Sequence, residues 1–320
     1  MATRHVATHL RGGGNALVTS VGGTAGNMIP DRGRNGYAFG VASKDEIVAE
    51  VRREIKAGAN WIKVHVTGLL PGKAGQGEVQ VWSNEELETV CKAAHDLGIP
   101  VVGHCRGSES TKNAAEAGFD MILHATLMDD AAVETIIKHN VPIVPTFTFQ
   151  ANLADWGEKI GSDPALKDIF RREIEDSAKT IRACYDEGVP LLCGSESGFA
   201  LTPYGEWHHR ELEVFVDDFD LTPLHAIQCG TQAGALALQM EGQVGEIGEG
   251  KLADVIVIDG DPSKDVSILG DKSKLKHVFT GGRAVDLDYK PLERKPISGW
   301  RVNAWGQRIL TQDVAFSDEA

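Results

Sequence analysis

Four apolar runs of this chain carry, at or near their ends, side chains that bind metals or move protons. Val101-Val102-Gly103-His104 and Met121-Ile122-Leu123-His124 each close on an imidazole. Ile62-Lys63-Val64-His65-Val66 sets Lys63 and His65 on one face, because side chains alternate along a strand. Leu191-Leu192-Cys193-Gly194-Ser195-Glu196 brings a carboxylate to the end of its run. One strand-end histidine reads most simply as a hydrogen-bonded core or rim residue. Two on consecutive strands, beside a buried lysine, read as neutral imidazoles converging on one divalent cation. Capping by Ser195 or Ser197 would explain the loop around Glu196, but not an acid beside two histidines.

Lys63 admits two readings. An ammonium in a strand buried on both sides is costly unless it is neutralised or paired. A neutral lysine reacts with carbon dioxide to give a carbamate, a good metal ligand. A lysine paired to a buried carboxylate satisfies the same constraint. The chemistry such a set supports is metal-assisted hydrolysis. A divalent ion lowers the pKa of bound water toward neutrality, so that metal-bound hydroxide attacks a polarised carbonyl. Glu196, as general base and then acid, takes the proton and returns it to the leaving group.

The elements that must hold these residues repeat from about residue 43 to 194. A helical stretch ends at Gly or Asn, and a short β-branched run follows. Ser43 with Glu46 and Ser83 with Glu86 read as capping boxes that open two of the helices. Gly58, Gly98, Gly118, Asn140 and Gly188 each precede a strand, since these residue types tolerate the left-handed position after a helix. The strands are expected at 61–66, 99–104, 121–124, 141–147 and 189–194, with another at 16–21. Thr222 and Pro223 open a later helix. Alternating helices and strands predict parallel βαβ units. A (β/α)8 TIM-type barrel takes eight strands and about 250 residues, so six strands leave it two short. The competing fold is an open doubly wound sheet, but no Gly-x-Gly-x-x-Gly follows a strand. Gly12 to Gly14 reads as a loop.

Composition is that of a globular protein, with 42% hydrophobic and 24% charged residues among 320. A net charge of −14 with no basic stripe argues against nucleic acid and anionic membranes as partners. No apolar run approaches the roughly 20 residues of a membrane helix. Five scattered cysteines fit reduced thiols in a cytoplasmic enzyme.

Two longer stretches make the pattern specific. Residues 242–268 (GQVGEIGEGKLADVIVIDGDPSKDVSI) resemble the C-terminal signature of the amidohydrolase superfamily. Residues 57–68 (AGANWIKVHVTG) are similar to the carbamylated-lysine strand of its imidazolonepropionase-like and Xaa-Pro dipeptidase-like branch. The likeness continues through His104, His124-Ala125-Thr126 and Val144-Pro145-Thr146, and covers nearly all of 40–285. It implies a zinc-type site of one or two ions, with Lys63 carbamylated and bridging, His104 and His124 as ligands, and Glu196 in the place of the branch's strand-eight aspartate. It also implies that 1–240 is a barrel whose first two strands precede Met1, that 241–295 is a small β-sandwich portion, and that 296–320 is a tail.

Three departures stand out. The branch's first strand carries His-x-His, which occurs nowhere here; His5 and His9 sit on an expected helix too late in the fold to replace it. Glu196 is one methylene longer than aspartate. Arg106 follows His104 where many relatives have a second histidine, and either binds a substrate carboxylate bidentately or pairs with a surface acid. Tyr204, His208 and His209, in PYGEWHHR (203–210), are substrate-pocket residues or the start of a solvated helix. The implied function is hydrolysis of amide-type C–N bonds (peptide, urea, carbamate or cyclic amide) in small molecules. The rival is an incompetent fragment or non-catalytic relative that needs a complementary N-terminal chain or serves in assembly. A homo-oligomer, with Trp300 and Trp305 of the tail packing on a partner subunit or on the barrel, is expected by analogy.

Overall fold

The computed structural model describes residues 16–19, 38–41, 43–67, 79–80, 82–288 and 306–317. His5, His9, Gly12 to Gly14, Trp300 and Trp305 lie outside them. The chain divides into two compact units, one drawn from 4–145 and 175–192, the other from 1–3, 146–174 and 193–320.

The first unit is built on a parallel sheet. Its strands are β1 (Ala16–Thr19), β2 (Ala38–Val41), β3 (Ile62–His65), β4 (Val101–Arg106), β5 (Met121–Thr126) and β6 (Ile143–Val144), in the order β2-β1-β3-β4-β5-β6. Helices α1 (Lys44–Lys56), α2 (Asn84–His95), α3 (Ser108–Ala117) and α4 (Asp130–His139) connect successive strands from β2 to β6. The Ser43 hydroxyl accepts from Glu46 N–H, and Ser83 with Glu86 forms the full reciprocal box. Gly118 (φ 94°) and Asn140 (φ 49°) end α3 and α4 in the left-handed conformation, as their residue types predict. Every residue of β3, β4 and β5 is buried, which is why these strands read as continuous apolar runs broken only by functional residue types. Ile47, Val51, Leu87, Val90 and Ile136 supply the helix side of the core.

The structure differs from the expected strands in three places. β2 was not foreseen. The run 141–147 is a strand only at Ile143–Val144. The run 189–194 contributes one parallel bridge, Leu191 with Ile143, held by Ile143 N–H to Pro190 O and Leu192 N–H to Ile143 O, both 2.9 Å. Prolines at 142 and 190 each remove a ladder donor, which explains the short pairing.

The second unit contains α5 (Thr148–Trp156), helix α7 (Arg210–Asp217) and α8 (Pro223–Gly230), the last capped by the Thr222 hydroxyl with Pro223 in its first turn. The long helix α6 (Ala165–Asp186) runs through residues of both units. The core of the second unit gathers Phe149, Leu153, Ile160, Phe170, Leu201, Trp207 and Leu310. Trp207 is anchored by its indole N–H to Leu310 O at 2.8 Å. An antiparallel sheet, β7 (Val255–Ile258), β8 (Leu275–Thr280) and β9 (Arg283–Ala284), follows in the order β7-β8-β9. Among the described residues, no helix is long and apolar enough to cross a membrane.

Candidate functional site

The carboxyl ends of β3, β4 and β5 gather three imidazoles. The β3–β4 register sets His65 directly beside His104 and Lys63 beside Val102. Their rings follow: His65 and His104 lie 4.9 Å apart between centroids, and His104 and His124 lie 4.4 Å apart, edge to face. All three are nearly inaccessible, and Lys63 is buried with them. His65 is the member that the sequence did not assign. Alternation had placed it on the face of Lys63, but the pairing that sets it beside His104 is long-range.

His124 reaches this cluster by a local distortion. In the β4–β5 register His104 sits beside Leu123, and Cys105 beside His124, so simple alternation would send His124 to the opposite face. The pairing shifts between Cys105 and Arg106, and His124 (φ 72°) and Ala125 (φ 49°) are both left-handed. An irregularity of this kind re-aims a side chain at a strand end. Left-handed backbone costs a non-glycine residue on the order of 1 kcal/mol, so its persistence here means that the surrounding structure holds it.

The electrostatics keep the imidazoles neutral. Burial, then the Lys63 charge, holds His65 well below the ordinary histidine range. Burial does the same to His104, helped by His124, His65, Lys63 and Arg106. Burial and Arg106 lower His124, against the pull of the Pro145 carbonyl. That carbonyl lies 3.2 Å from His124 Nδ1 and accepts from its N–H, which makes Nε2 the lone-pair nitrogen. Arg106, 4% exposed, stands in the interior close enough to shift two of these histidines, and not at the surface. Its backbone N–H donates to Thr67 Oγ1 at 3.1 Å. His104 O accepts from Val66 and Thr67 N–H, and Trp82 donates its indole N–H to His65 O at 2.7 Å, which fixes the strand ends.

Gly103 makes the back of this arrangement possible. A Cβ at Gly103 would stand 2.9 Å from Phe119 Cδ1 and 3.0 Å from Cys105 Sγ. Phe119 is buried and cannot swing away freely. Gly103→Ala is therefore expected to cost about 1–3 kcal/mol of stability through overpacking. The midpoint of urea denaturation measures it, and an unchanged midpoint would show that Phe119 yields.

In the second unit, Glu196 is left-handed (φ 45°), and its carbonyl accepts from Thr202 Oγ1 at 2.7 Å. Around it the Ser195 and Ser197 hydroxyls lie 2.7 Å apart, each 3.4 Å from His208 Nδ1. His208 Nε2 accepts from Gly205 N–H at 3.1 Å, so Nδ1 carries the proton and donates to the serines. In this tautomer His208 cannot act as a base toward either hydroxyl; it braces the loop. Burial lowers its pKa. Tyr204 is 58% exposed, with its hydroxyl against Gly198 (φ 120°), where a Cβ would meet it at 3.1 Å. His209 lies against Trp207 and 3.6 Å from Glu213; burial first, then Arg210, lowers it to about 4.

Parallel strands with buried imidazoles at their carboxyl ends agree with what comparison shows: the chain belongs to the amidohydrolase family, which matches residues 5–285. Ochratoxinase of Aspergillus niger is 25% identical over 241 residues, which is 75% of this chain and 49% of that protein. The chain spans about half the length of the curated relatives it matches. The crystal structure of a Xaa-Pro dipeptidase with bound methionine in its active site is 28% identical, with a TM-score of 0.70 over 85% of this chain and 66% of that one. Molinate hydrolase is 23% identical, with a TM-score of 0.60 over 79% of this chain and 57% of its own, a likeness of fold. The fold is thus of the TIM-barrel-like α/β kind, and the expected superfamily and Xaa-Pro dipeptidase-like branch are the ones found.

Proposed function

We propose that this chain is a metal-dependent hydrolase of amide-type C–N bonds in small molecules. The observation that carries the reading is the buried His104–His124 pair, kept neutral beside Lys63, with His124 Nδ1 already committed to a carbonyl. That donor set fits a divalent ion of the zinc type, one or two per chain, because such ions take uncharged imidazole nitrogen oriented by a second hydrogen bond. Lys63 and Arg106 bear on its charge balance. An ammonium and a guanidinium both repel a cation, whereas a carbamate on Lys63 turns one repulsion into a ligand. In this reading Lys63 (carbamylated), His104, His124 and Glu196 hold the metal.

When bound, the ion supplies an activated water and polarises the scissile carbonyl. The protein's own groups do the rest. Glu196 accepts the proton of the attacking water at a carboxylate oxygen and delivers it to the departing nitrogen. Arg106 offers a bidentate site for a carboxylate on the substrate. His208 and Tyr204 lie on the loop following Glu196 and border the pocket. The Xaa-Pro dipeptidase among the similar structures supports a peptide-type bond as one candidate, and the molinate and phenylurea hydrolases keep the other C–N bonds in play. The 255–284 sheet is read as the described part of the β-sandwich portion, and the enzyme as cytoplasmic and capable of pairing with a second copy or a complementary segment.

The test is metal content of the purified chain beside Lys63→Ala, followed by hydrolysis of a panel of N-acyl amino acids, dipeptides, aryl ureas and carbamates. About one zinc-like ion per chain, lost in the variant, together with chelator-reversible cleavage of at least one class, is expected. A folded, metal-loaded protein that cleaves none of them, or a metal load indifferent to Lys63, would sink the reading.

A further inference from the structure

Glu211, on the first turn of α7, is fully buried, yet it makes no part of the site described above. Its Oε1 accepts from Phe147 N–H at 3.0 Å, and its Oε2 accepts from Thr148 N–H and from Thr148 Oγ1, both at 2.7 Å. Phe147 is the N-cap residue of α5 and caps nothing with its own side chain. Glu211 therefore does from a distant helix what a capping side chain does locally, placing carboxyl oxygens, negatively charged above about pH 7, on the orphan donors of a helix start. Left-handed Thr146 (φ 58°) followed by right-handed Phe147 turns successive N–H groups inward, the shape that binds anions. The cage has a second arm. Thr148 Oγ1 also stands 3.3 Å from Gly194 O, two residues before Glu196.

We propose that Glu211 is a positioning residue, which through Thr148 fixes the chain at Gly194 and so the backbone that presents Glu196. The inference rests on the reading of Glu196 as the site's acid. Three features distinguish this from ordinary core packing. A carboxylate in place of an apolar side chain is expensive in a sealed interior unless its hydrogen bonds are needed. The single proton of Thr148 Oγ1 is shared between Glu211 Oε2 at 2.7 Å and Gly194 O at 3.3 Å, a three-centre bond that makes the hydroxyl a hinge between two segments far apart in sequence. Glu196 needs such support, because its left-handed backbone relaxes unless its surroundings hold it. Burial pushes the Glu211 carboxyl up to about 7, against hydrogen bonds from Thr148 and the backbone N–H groups of Phe147 and Thr146. The titratable groups that couple to it are the Cys193 thiol and, next to that, the Cys229 thiol; burial keeps both in the neutral form.

Hydrogen exchange of the full chain above pH 7 tests the proposal without reference to activity. Glu211→Gln puts an amide donor against backbone donors. It is expected to speed exchange about tenfold both in peptides covering 146–150 and in those covering 193–200. Thr148→Val removes the hinge and one of the three donors to Glu211, leaving the Phe147 and Thr148 N–H groups on the carboxylate, and is expected to speed exchange mainly in 193–200, whereas Thr148→Ser keeps wild-type protection. Faster exchange confined to 146–150 in Glu211→Gln, with 193–200 unmoved in Thr148→Val, would reduce Glu211 to a local cap and overturn the proposal. Should Glu211→Gln fail to fold, the two Thr148 variants decide. Where the wild type hydrolyses a substrate, Thr148→Val is further expected to lower kcat about tenfold with KM little changed. An inactive wild type would overturn the hydrolase reading while the exchange result still decides this one.

Discussion

His104→Ala is expected to abolish stoichiometric metal binding and to lower kcat/KM by on the order of 10³-fold or more. His104 is the middle ring of the three, within 4.9 Å of His65 and 4.4 Å of His124 between centroids, so no neighbour can take its place without breaking another contact. The loss expected is that of Lewis-acid stabilisation, worth several kcal/mol in the transition state, and each 1.36 kcal/mol is tenfold in rate. His208→Ala provides the contrast. Its ring braces the Ser195–Ser197 loop through Nδ1 and Gly205 through Nε2, so its removal should leave metal content unchanged and cost far less. Metal analysis and steady-state kinetics on the same preparations check both. If His104→Ala kept its metal and most of its rate, the buried imidazoles would be a packing feature.

The second large effect is on stability. Glu211 stands at about 7 in the folded chain against an ordinary 4.5. Between those values the native state holds a proton that the unfolded state has released. Stability from this group is therefore complete below about pH 4.5 and is lost as pH rises to 7. The shift corresponds to roughly 3 kcal/mol over that window. Glu211→Gln cannot titrate and should lack this component. Urea denaturation of both proteins between pH 5 and 8 reads it as a difference in slope. Parallel slopes would mean that Glu211 ionises in the native state as readily as in the unfolded chain.

The positions of the site histidines were legible because strand and helix signals enclosed them. A strand buried on both faces is apolar throughout, so a terminal histidine or an internal lysine breaks the pattern visibly. What escaped was whatever depended on pairing between distant segments. His65 lies on the face expected of it, but its approach to His104 follows from the β3–β4 register. His124 lies on the wrong face by alternation, and only a left-handed distortion brings it in. Glu211 sits in His-His-Arg-Glu-Leu-Glu-Val, where it looks like any acid in the first turn of a helix. Its burial comes from chain more than sixty residues away. β2 is a four-residue run with no helix signal before it, too short to separate from a loop. The Ser83–Glu86 box, the left-handed stops at Gly118 and Asn140, and the Thr222–Pro223 start were all readable, because capping is local chemistry.

Five of the left-handed residues, His124, Ala125, Leu127, Thr146 and Glu196, are neither glycine nor asparagine and follow or end apolar strand runs. Each carries a conformational cost on the order of 1 kcal/mol that the rest of the fold offsets. Domains are stable by only about 5–15 kcal/mol, so these five positions consume a sizeable part of the margin. The consequence falls on how the protein can change. Substitutions that open or reshape a pocket usually destabilise as well, and a chain carrying this much local strain has less room to absorb them. Directed evolution toward a new substrate should therefore progress further from a background first stabilised at remote surface positions than from the native sequence. Selection for thermal tolerance alone should favour glycine at Ala125, easing the turn that aims His124 at the expense of its rigidity.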